Sequence, residues 1–246
     1  MRTYSLLLTL IFFGFSFTKK QVTIYMAGDS TMSFKPNAEH PERGWGMLLP
    51  AFFDKKVIIA NHAMNGRSTK TFLSEGRWQA IMDKVGRGDY VVIQFGHNDS
   101  SKDKGARYTP PEQYKANLVR FVKETQAKEA MPILCTPIMR RRFDKNGNFY
   151  DTHGGYPEIV RQVADSLDVP LVDMHRKSEK LIVEHGEEGS KKLFLHIKPG
   201  EYEVLPDGLE DNTHFSEYGA RLMAELFVEG IEELGLKKLS RRLKSK

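Results

Sequence analysis

Two short motifs at opposite ends of the chain carry the three side chains of a nucleophilic catalyst. Ser30 lies in the sequence Gly-Asp-Ser-Thr, and Asp211 and His214 are three residues apart in one predicted loop, in Asp-Asn-Thr-His. A serine hydroxyl is a poor nucleophile until a base removes its proton, and a histidine acting as that base must be oriented by a third group. We therefore predict acyl transfer with Ser30 as the nucleophile, His214 as the base and Asp211 as the orienting carboxylate.

Two further motifs contain donors for a developing oxyanion. Asn98 lies in Gly-His-Asn-Asp and Gly66 lies in Asn-Gly-Arg-Ser-Thr. Acyl transfer places negative charge on the carbonyl oxygen in the transition state, and fixed N–H donors stabilise that charge. The amide of Asn98 can supply one donor, and the missing side chain of Gly66 lets its backbone N–H approach a substrate closely.

Each motif taken alone also has an ordinary structural interpretation. Gly-Asp-Ser is typical of a turn that caps a helix, and the Gly66 and Asn98 motifs are typical of turns. Asp211 and His214 could be loop residues that precede a helix N-cap at Ser216. The combination favours catalysis, because independent turns seldom produce Ser, Gly, Asn and Asp-x-x-His in this order, with the first three after separate predicted strands.

Short apolar runs alternate with helical segments and predict how the motifs are positioned. The runs are continuous rather than alternating, which is typical of strands covered on both faces. The predicted strands are 22–27, 57–60, 90–95, 133–136 and 171–173. The predicted helices are 44–53, 111–129, 156–167 and 216–234. This order indicates an α/β fold with helices on both faces of a parallel sheet, in which ligands bind beyond the carboxyl ends of the strands.

The four motifs resemble those of the GDSL/SGNH hydrolases, a family named after Ser, Gly, Asn and His in four sequence blocks. Ser30, Gly66, Asn98 and His214 match these blocks one by one, and Asp211 matches the acidic partner. The stretches GDSTM, NGRSTKTF, QFGHND, TPIMRRRFD and LHIKPGEYEVLPDGLEDNTHFSEYGA are similar to the rhamnogalacturonan acetylesterase branch, in which the first block reads GDST. The resemblance extends over residues 22–236.

This resemblance implies a three-layer αβα sandwich of the SGNH, flavodoxin-like type around a five-stranded parallel sheet. It implies removal of acetyl groups from pectic polysaccharide, as part of pectin degradation, through an acetyl-Ser30 intermediate and without a metal or other cofactor. The oxyanion would be held by the backbone N–H groups of Ser30 and Gly66 and by the Asn98 amide. Asp29 and Asp99 would brace turns rather than take part in the chemistry.

Three other activities share some of these sequence features. An SGNH esterase could act on another acetylated carbohydrate, a small ester, a thioester or a lipid, although no long apolar patch near the motifs favours a lipid. A non-catalytic polysaccharide-binding protein belongs to a different class, and the presence of every required residue type argues against it. A metallohydrolase is not favoured, because the eight histidines show no spacing such as His-x-x-x-His and His153 is interpreted as a loop residue.

The two ends of the chain differ from the middle. Residues 1–20 combine a basic start with an apolar stretch and have no cysteine for an acyl anchor, which predicts a secretory signal rather than an uncleaved anchor or a buried first strand. We assign residues 21–236 to one esterase domain, expect the protein to be secreted or periplasmic, and expect no stable membrane insertion after signal removal. The sequence does not specify the oligomeric state.

The basic charge is concentrated in a C-terminal tail, residues 237–246, which could touch an acidic surface but is more often a solvated end, and we assign it no function. Its six Lys/Arg residues account for the net charge of +5, and the rest of the chain has a net charge of −1. A nearly neutral body argues against a nucleic-acid partner.

Three cations are candidates for binding an acidic substrate. Arg141 lies in a run of three arginines directly after the fourth predicted strand, Arg67 follows Gly66, and Lys198 lies in the loop leading toward Asp211. A galacturonate-containing backbone carries a carboxylate on each uronic acid, which suits the planar fork of arginine. The alternative is that some of these cations pair with Asp144 or with other surface acids.

Overall fold

The computed structural model describes residues 21–244 as a five-stranded parallel sheet with helices on both faces, beside a separate two-stranded antiparallel sheet. The strands of the large sheet are β1 Val22–Gly28, β2 Val57–Asn61, β3 Tyr90–Gln94, β4 Met131–Cys135 and β5 Leu171–Val172. Their order is β2-β1-β3-β4-β5, and every pair is parallel. The predicted fold class is confirmed. The predicted secretory signal at residues 1–20 lies outside the described residues.

The order of the strands creates a crevice beyond the carboxyl ends of β1 and β3. From β1 the chain first forms β2 on one side and then β3 on the other side, so that the loops leaving β1 and β3 diverge. Crevices of this kind are the usual ligand sites of open parallel sheets. The three motifs that follow β1, β2 and β3 all start at this edge.

Two helical layers cover the sheet because alternate strand residues face opposite cores. Ile24 and Met26 pack into one core, and Tyr25 and Ala27 pack into the other. The helices are α1 Trp45–Leu48, α2 Thr69–Ser74, α3 Arg77–Met82, α4 Pro111–Ala127, α5 Tyr156–Ser166, α6 Met174–Gly189, α7 Glu217–Glu233 and α8 Lys237–Ser240. Three 3₁₀ segments are Leu49–Phe52, Lys102–Arg107 and Ser190–Leu193. Residues of α1, α6, α7 and α8 line the first core, and residues of α2, α3, α4 and α5 line the second.

A two-stranded antiparallel sheet, which the sequence pattern did not predict, accompanies the parallel sheet. It consists of β6 Phe194–Ile197 and β7 Leu209–Phe215, so Asp211 and His214 lie on a strand and not in a loop. The pairing has an irregularity, since Phe194 lies opposite Phe215 whereas Leu195 lies opposite Asp211. Residues 212–214 therefore bulge from the ladder, and bulges of this kind re-aim side chains.

The end of the described chain is docked on the body, which corrects the expectation of a solvated tail for residues 237–244. Leu239 is buried, and Leu243 forms a bridge with Phe53. The backbone N–H of Lys244 donates to the carbonyl oxygen of Phe52 at 2.9 Å. Within residues 21–244, no helix has the length and apolar character needed to cross a bilayer.

Candidate active site

Ser30 lies one turn beyond β1, at the carboxyl edge of the sheet. The backbone N–H of Ser33 donates to the carbonyl oxygen of Asp29 at 3.1 Å and closes this turn. No helix follows directly, because α1 begins only at Trp45. The side chain of Ser30 is largely buried, and its hydroxyl faces the bulged part of β7.

The structure brings Ser30, His214 and Asp211 into one hydrogen-bonded row. The Nε2 atom of His214 lies 2.9 Å from the Oγ atom of Ser30, and its Nδ1 atom lies 2.6 Å from Oδ2 of Asp211. Nδ1 is therefore the protonated nitrogen that donates to Asp211, which leaves Nε2 free to accept the serine proton. This is the geometry that a Ser-His-Asp nucleophile requires.

The bulge in β7 fixes the carboxylate of Asp211. Its Oδ1 atom accepts hydrogen bonds from the backbone N–H groups of Thr213 at 2.7 Å and of His214 at 3.1 Å. Burial raises the pKa of Asp211, but the hydrogen bonds from His214 and from these backbone groups outweigh burial and lower the pKa to about 2. Asp211 is therefore ionised at neutral pH and holds His214 in one orientation.

The predicted oxyanion donors lie at the ends of three adjacent strands. The backbone N–H groups of Ser30 and Gly66 donate to no acceptor in the described part of the chain. One N–H of the Asn98 amide donates to the carbonyl oxygen of Arg67 at 3.0 Å, and its other N–H has no acceptor within residues 21–244. Gly66 has φ +74°, a left-handed conformation that favours glycine.

Asp29 and Asp99, which the sequence analysis assigned to bracing turns, are completely buried and bonded within the protein. Oδ1 of Asp29 accepts from the backbone N–H and the hydroxyl of Thr31 at 3.0 and 2.8 Å, and Oδ2 lies 3.4 Å from Nδ1 of His97. Oδ1 of Asp99 accepts from the backbone N–H and the hydroxyl of Thr69 at 2.9 and 2.6 Å. The hydrogen bonds between Thr69 and Asp99 join the loop that carries Gly66 to the loop that carries Asn98.

The two carboxyl groups have opposite pKa shifts. Burial raises the pKa of Asp29, but His97 and the hydrogen bonds from Thr31 outweigh burial and hold the pKa well below its usual value. At Asp99 burial dominates and raises the pKa to about 7, although the bonds from Thr69 lower it. Asp29 is thus a fixed negative charge beside the nucleophile turn, whereas Asp99 titrates near neutrality.

A buried lysine connects the nucleophile turn to the loop of Gly66. The ammonium of Lys35 donates to the carbonyl oxygen of Ser30 at 2.7 Å, to Oδ1 of Asn65 at 2.6 Å and to Oγ of Ser33 at 2.9 Å. It also forms an ion pair with Glu42 at 2.6 Å, and 5% of the lysine side chain and 17% of the glutamate side chain are exposed. The sequence analysis missed Lys35, because a lysine five residues after the nucleophile matches no catalytic motif.

The three cations predicted to bind substrate occupy different environments. Arg141 is buried and donates to Oδ1 of Asn212, to Oγ of Ser190 and to the carbonyl oxygen of Glu187. This overturns its predicted role, because its guanidinium is used to hold α6 against β7. Arg67 donates to both carboxylate oxygens of Glu75 and is already paired at the surface. Lys198 lies exposed in the loop between β6 and β7.

Other cations, which the sequence analysis did not single out, lie closer to the reacting groups. The ammonium of Lys104 donates to Oδ1 of Asn98 at 3.3 Å. The guanidinium of Arg107 approaches Gly66 so closely that a Cβ atom there would lie 3.0 Å from it. Both cations belong to the 3₁₀ segment Lys102–Arg107, which the sequence pattern did not predict. Its sequence KDKGAR carries three cations, and this charge was the available signal.

Asp151, His153 and His175 form a separate group whose ligand atoms lie within 4.8 Å of one another, and the ring of His153 contacts the ring of His97. Oδ1 of Asp151 lies 2.8 Å from Nδ1 of His153 and 3.3 Å from Nε2 of His175. Burial lowers the pKa of His153 to about 3, with smaller contributions from Asp151, which opposes the shift, and from His97. The sequence analysis could not find this group, because it arises from tertiary packing and not from a local spacing.

The chain is similar to known esterases over most of its length. Residues 26–222 match the family model described as GDSL-like Lipase/Acylhydrolase. The rhamnogalacturonan acetylesterase RhgT of Bacillus subtilis (strain 168) is 45% identical over 218 residues, which cover 89% of this chain and 93% of RhgT. The crystal structure of YxiM from Bacillus subtilis has a TM-score of 0.74 at 25% identity and covers 88% of this chain and 58% of that chain. A catalytic mutant of an acetylxylan esterase from Geobacillus stearothermophilus has a TM-score of 0.61 at 18% identity, covers 86% of this chain and 94% of that chain, and supports the fold.

Proposed function

Because this chain belongs to the GDSL-like lipase/acylhydrolase family, we propose that it is a serine esterase that removes acetyl groups from rhamnogalacturonan, an acidic pectic polysaccharide. One observation carries the proposal: in a chain 45% identical to a rhamnogalacturonan acetylesterase, His214 joins the hydroxyl of Ser30 to the carboxylate of Asp211. The row of contacts supports the chemistry, and the relative supports the substrate.

The proposed reaction has two halves. His214 takes the proton of Ser30 while the Oγ atom attacks the acetyl carbonyl carbon, and the resulting oxyanion lies among the N–H groups of Ser30, Gly66 and Asn98. The bond to the sugar oxygen then breaks, His214 donates the proton to that oxygen, and acetyl-Ser30 remains. Water, deprotonated by His214, attacks the carbonyl carbon of acetyl-Ser30. The bond to Oγ then breaks, acetate leaves, and His214 returns the proton to Oγ of Ser30. Asp211 stabilises the imidazolium that forms in each half.

Acetate release from three acetylated polysaccharides tests the substrate. The purified protein should release acetate from acetylated rhamnogalacturonan faster than from acetylated homogalacturonan or acetylated xylan, and the Ser30→Ala variant should release none above background. Equal or faster release from xylan would replace the pectic substrate with a neutral acetylated carbohydrate. Absence of acetate release from all three polymers and from small acetyl esters would leave a non-catalytic polysaccharide-binding protein.

The proposal includes export of the protein, on the basis of the basic and apolar residues at positions 1–20. A secreted or periplasmic enzyme would meet its polymeric substrate outside the cytoplasm. Expression of the full chain, followed by fractionation and N-terminal mass spectrometry, should recover a processed protein outside the cytoplasm. An intact N-terminus in the cytoplasmic fraction would contradict export.

A further inference from the structure

A cleft of about 620 Å³ lies beside the catalytic row and has a basic lining. Segments after β3 and β4 form its walls, and Thr213 of the β7 bulge, next to His214, contributes to it. Its charged lining residues are Lys102, Lys104, Arg140, Arg142 and a single acid, Asp103. A volume of this size is in the range of small-molecule sites, roughly 300–1,000 Å³.

Two cations of this basic cleft, Arg140 and Lys104, are held in place by hydrogen bonds to neutral groups, and Asp29 and Asp103 are the acids whose charges act on both of them. Arg140 donates to the hydroxyl of Thr152 at 2.7 Å and to the carbonyl oxygen of His97 at 2.9 Å, and Lys104 donates to Asn98. All three acceptors are neutral, so none of them cancels a positive charge. Burial lowers the pKa of Lys104, and the nearby guanidinium groups of Arg140 and Arg107 lower it further.

Two other cations of the basic cleft are available to a ligand. The side chains of Lys102 and Arg142 are exposed and make no hydrogen bond or ion pair with any residue from 21 to 244. An exposed guanidinium with its planar fork free can bind both oxygens of one carboxylate. Like charges this close repel one another, and a bound anion would relieve that repulsion.

We propose that the basic cleft is a subsite for the carboxylate of a uronic-acid residue of the polymer backbone near the ester bond, with Arg142 and Lys102 as its free binding groups. The inference rests on the proposed function, because the cleft is placed beside the ester bond that the catalytic row would cut. In this proposal Arg142 and Lys102 take the substrate-binding role that the sequence suggested for Arg141 and Arg67, whose guanidinium groups already form hydrogen bonds within the protein.

Matched oligosaccharides test this subsite directly. Acetylated rhamnogalacturonan oligosaccharides are prepared with free uronic carboxyl groups or with the same groups methyl-esterified, so that the acetyl content is equal and only the charge differs. Acetate release is measured for the wild type, for the Arg142→Gln and Lys102→Gln variants and for their combination. The control is Lys123→Gln, which removes one exposed charge near the C-terminus of α4, far from the carboxyl edge of the sheet.

We expect the combined variant to raise KM for the free-acid oligosaccharide about tenfold, and to change KM for the methyl ester less than twofold. Added salt should raise the wild-type KM for the free acid by screening and should affect the combined variant less. The subsite is refuted if the variants affect both oligosaccharides equally or if Lys123→Gln has the same effect as Arg142→Gln. Wild-type protein that cuts neither oligosaccharide but does cut neutral acetylated xylan would instead refute the proposed function, and the subsite with it.

Discussion

Replacing Lys35 by methionine tests whether a buried charge positions the nucleophile. Methionine keeps the aliphatic stem and removes the ammonium that contacts Ser30, Asn65 and Glu42. Removing one partner of a buried ion pair costs about 3–5 kcal/mol. Because the Glu42 oxygen that contacts Lys35 is itself buried, we expect a cost of at least about 3 kcal/mol. For a chain of this size that corresponds to a decrease in Tm of about 6–12 °C.

Catalysis should suffer separately from stability. Lys35 bonds to the turn of Ser30 and to the loop of Gly66, and without it the nucleophile and an oxyanion donor lose a shared support. Misplacement of about 1 Å at a reacting group can cost on the order of 100-fold in rate. We expect kcat for a small acetyl ester to fall about 10- to 100-fold, with KM changing much less.

Two comparisons separate the two effects. Glu42→Gln should also destabilise the protein but should preserve most of kcat, because the ammonium keeps its contacts with Ser30 and Asn65. The double variant Lys35→Met/Glu42→Gln should recover part of the stability lost by Lys35→Met and none of its lost activity. As an exposed control, Lys177→Met breaks an ion pair of the same 2.6 Å length with Glu233 and should cost about 1 kcal/mol or less.

The measurements are urea unfolding, which gives the free energy of unfolding, and initial rates of ester hydrolysis at saturating substrate. A Lys35→Met variant within about 1 kcal/mol of the wild type would refute the buried-pair argument. A variant with a normal kcat would refute the positioning role even if the protein were destabilised.

Ser30→Ala and His214→Ala should each lower kcat on the order of 10⁶-fold and Asp211→Ala on the order of 10⁴-fold, the ranking typical of such triads. Ser30→Ala should leave stability nearly unchanged, whereas Asp211→Ala also removes the acceptor of the hydrogen bonds from Thr213 and His214 and should destabilise the protein. A folded Asp211 variant more impaired in kcat than the His214 variant would reverse these roles. Burial raises the pKa of Asp99 to about 7, so between about pH 4 and 7 the folded state binds more protons than the unfolded state, and the contribution of Asp99 to stability falls as pH rises. Asp99→Asn should remove this pH dependence from the free energy of unfolding. A difference in stability between the variant and the wild type that stays constant across that pH range would contradict the prediction. Chelators should leave ester hydrolysis unchanged, because the row from Asp211 to Ser30 uses no ion, and activity lost to a chelator and restored by a metal would instead implicate the group around His153.

The sequence predicted those parts of the fold and site that depend on local patterns. Continuous apolar runs located all five strands of the parallel sheet to within two residues at each end, and the four motifs pointed to residues that the structure brings together. It did not predict β6 and β7, because β7 reads LEDNTHF and its polar residues belong to a bulge rather than to a regular strand. Lys35 and His175 were missed for a related reason, since their contacts are made by folding and leave no local signature.

The run of arginines after β4 shows most clearly why residue type and position along the chain do not suffice to identify the residues that bind substrate. Arg141 and Arg142 are neighbours in sequence, yet Arg141 is enclosed by α6 and β7 whereas Arg142 lies open on the basic cleft. The sequence analysis placed the run of arginines correctly at the site edge. Which of them faces solvent is decided by the packing of α6, whose Glu187 lies 46 residues farther along the chain than Arg141, and no local pattern contains that information.

The placement of His214 on β7 also determines when during synthesis the enzyme can become active. His214 follows Ser30 by 184 residues, whereas the loops bearing Gly66 and Asn98 are made early. At about 5–20 residues per second, the ribosome needs roughly 10–40 s to add that interval. A nascent chain, or one truncated before β7, therefore carries the serine and the oxyanion donors without a base. The hydrolytic activity of this fold is therefore withheld until β7 has been made.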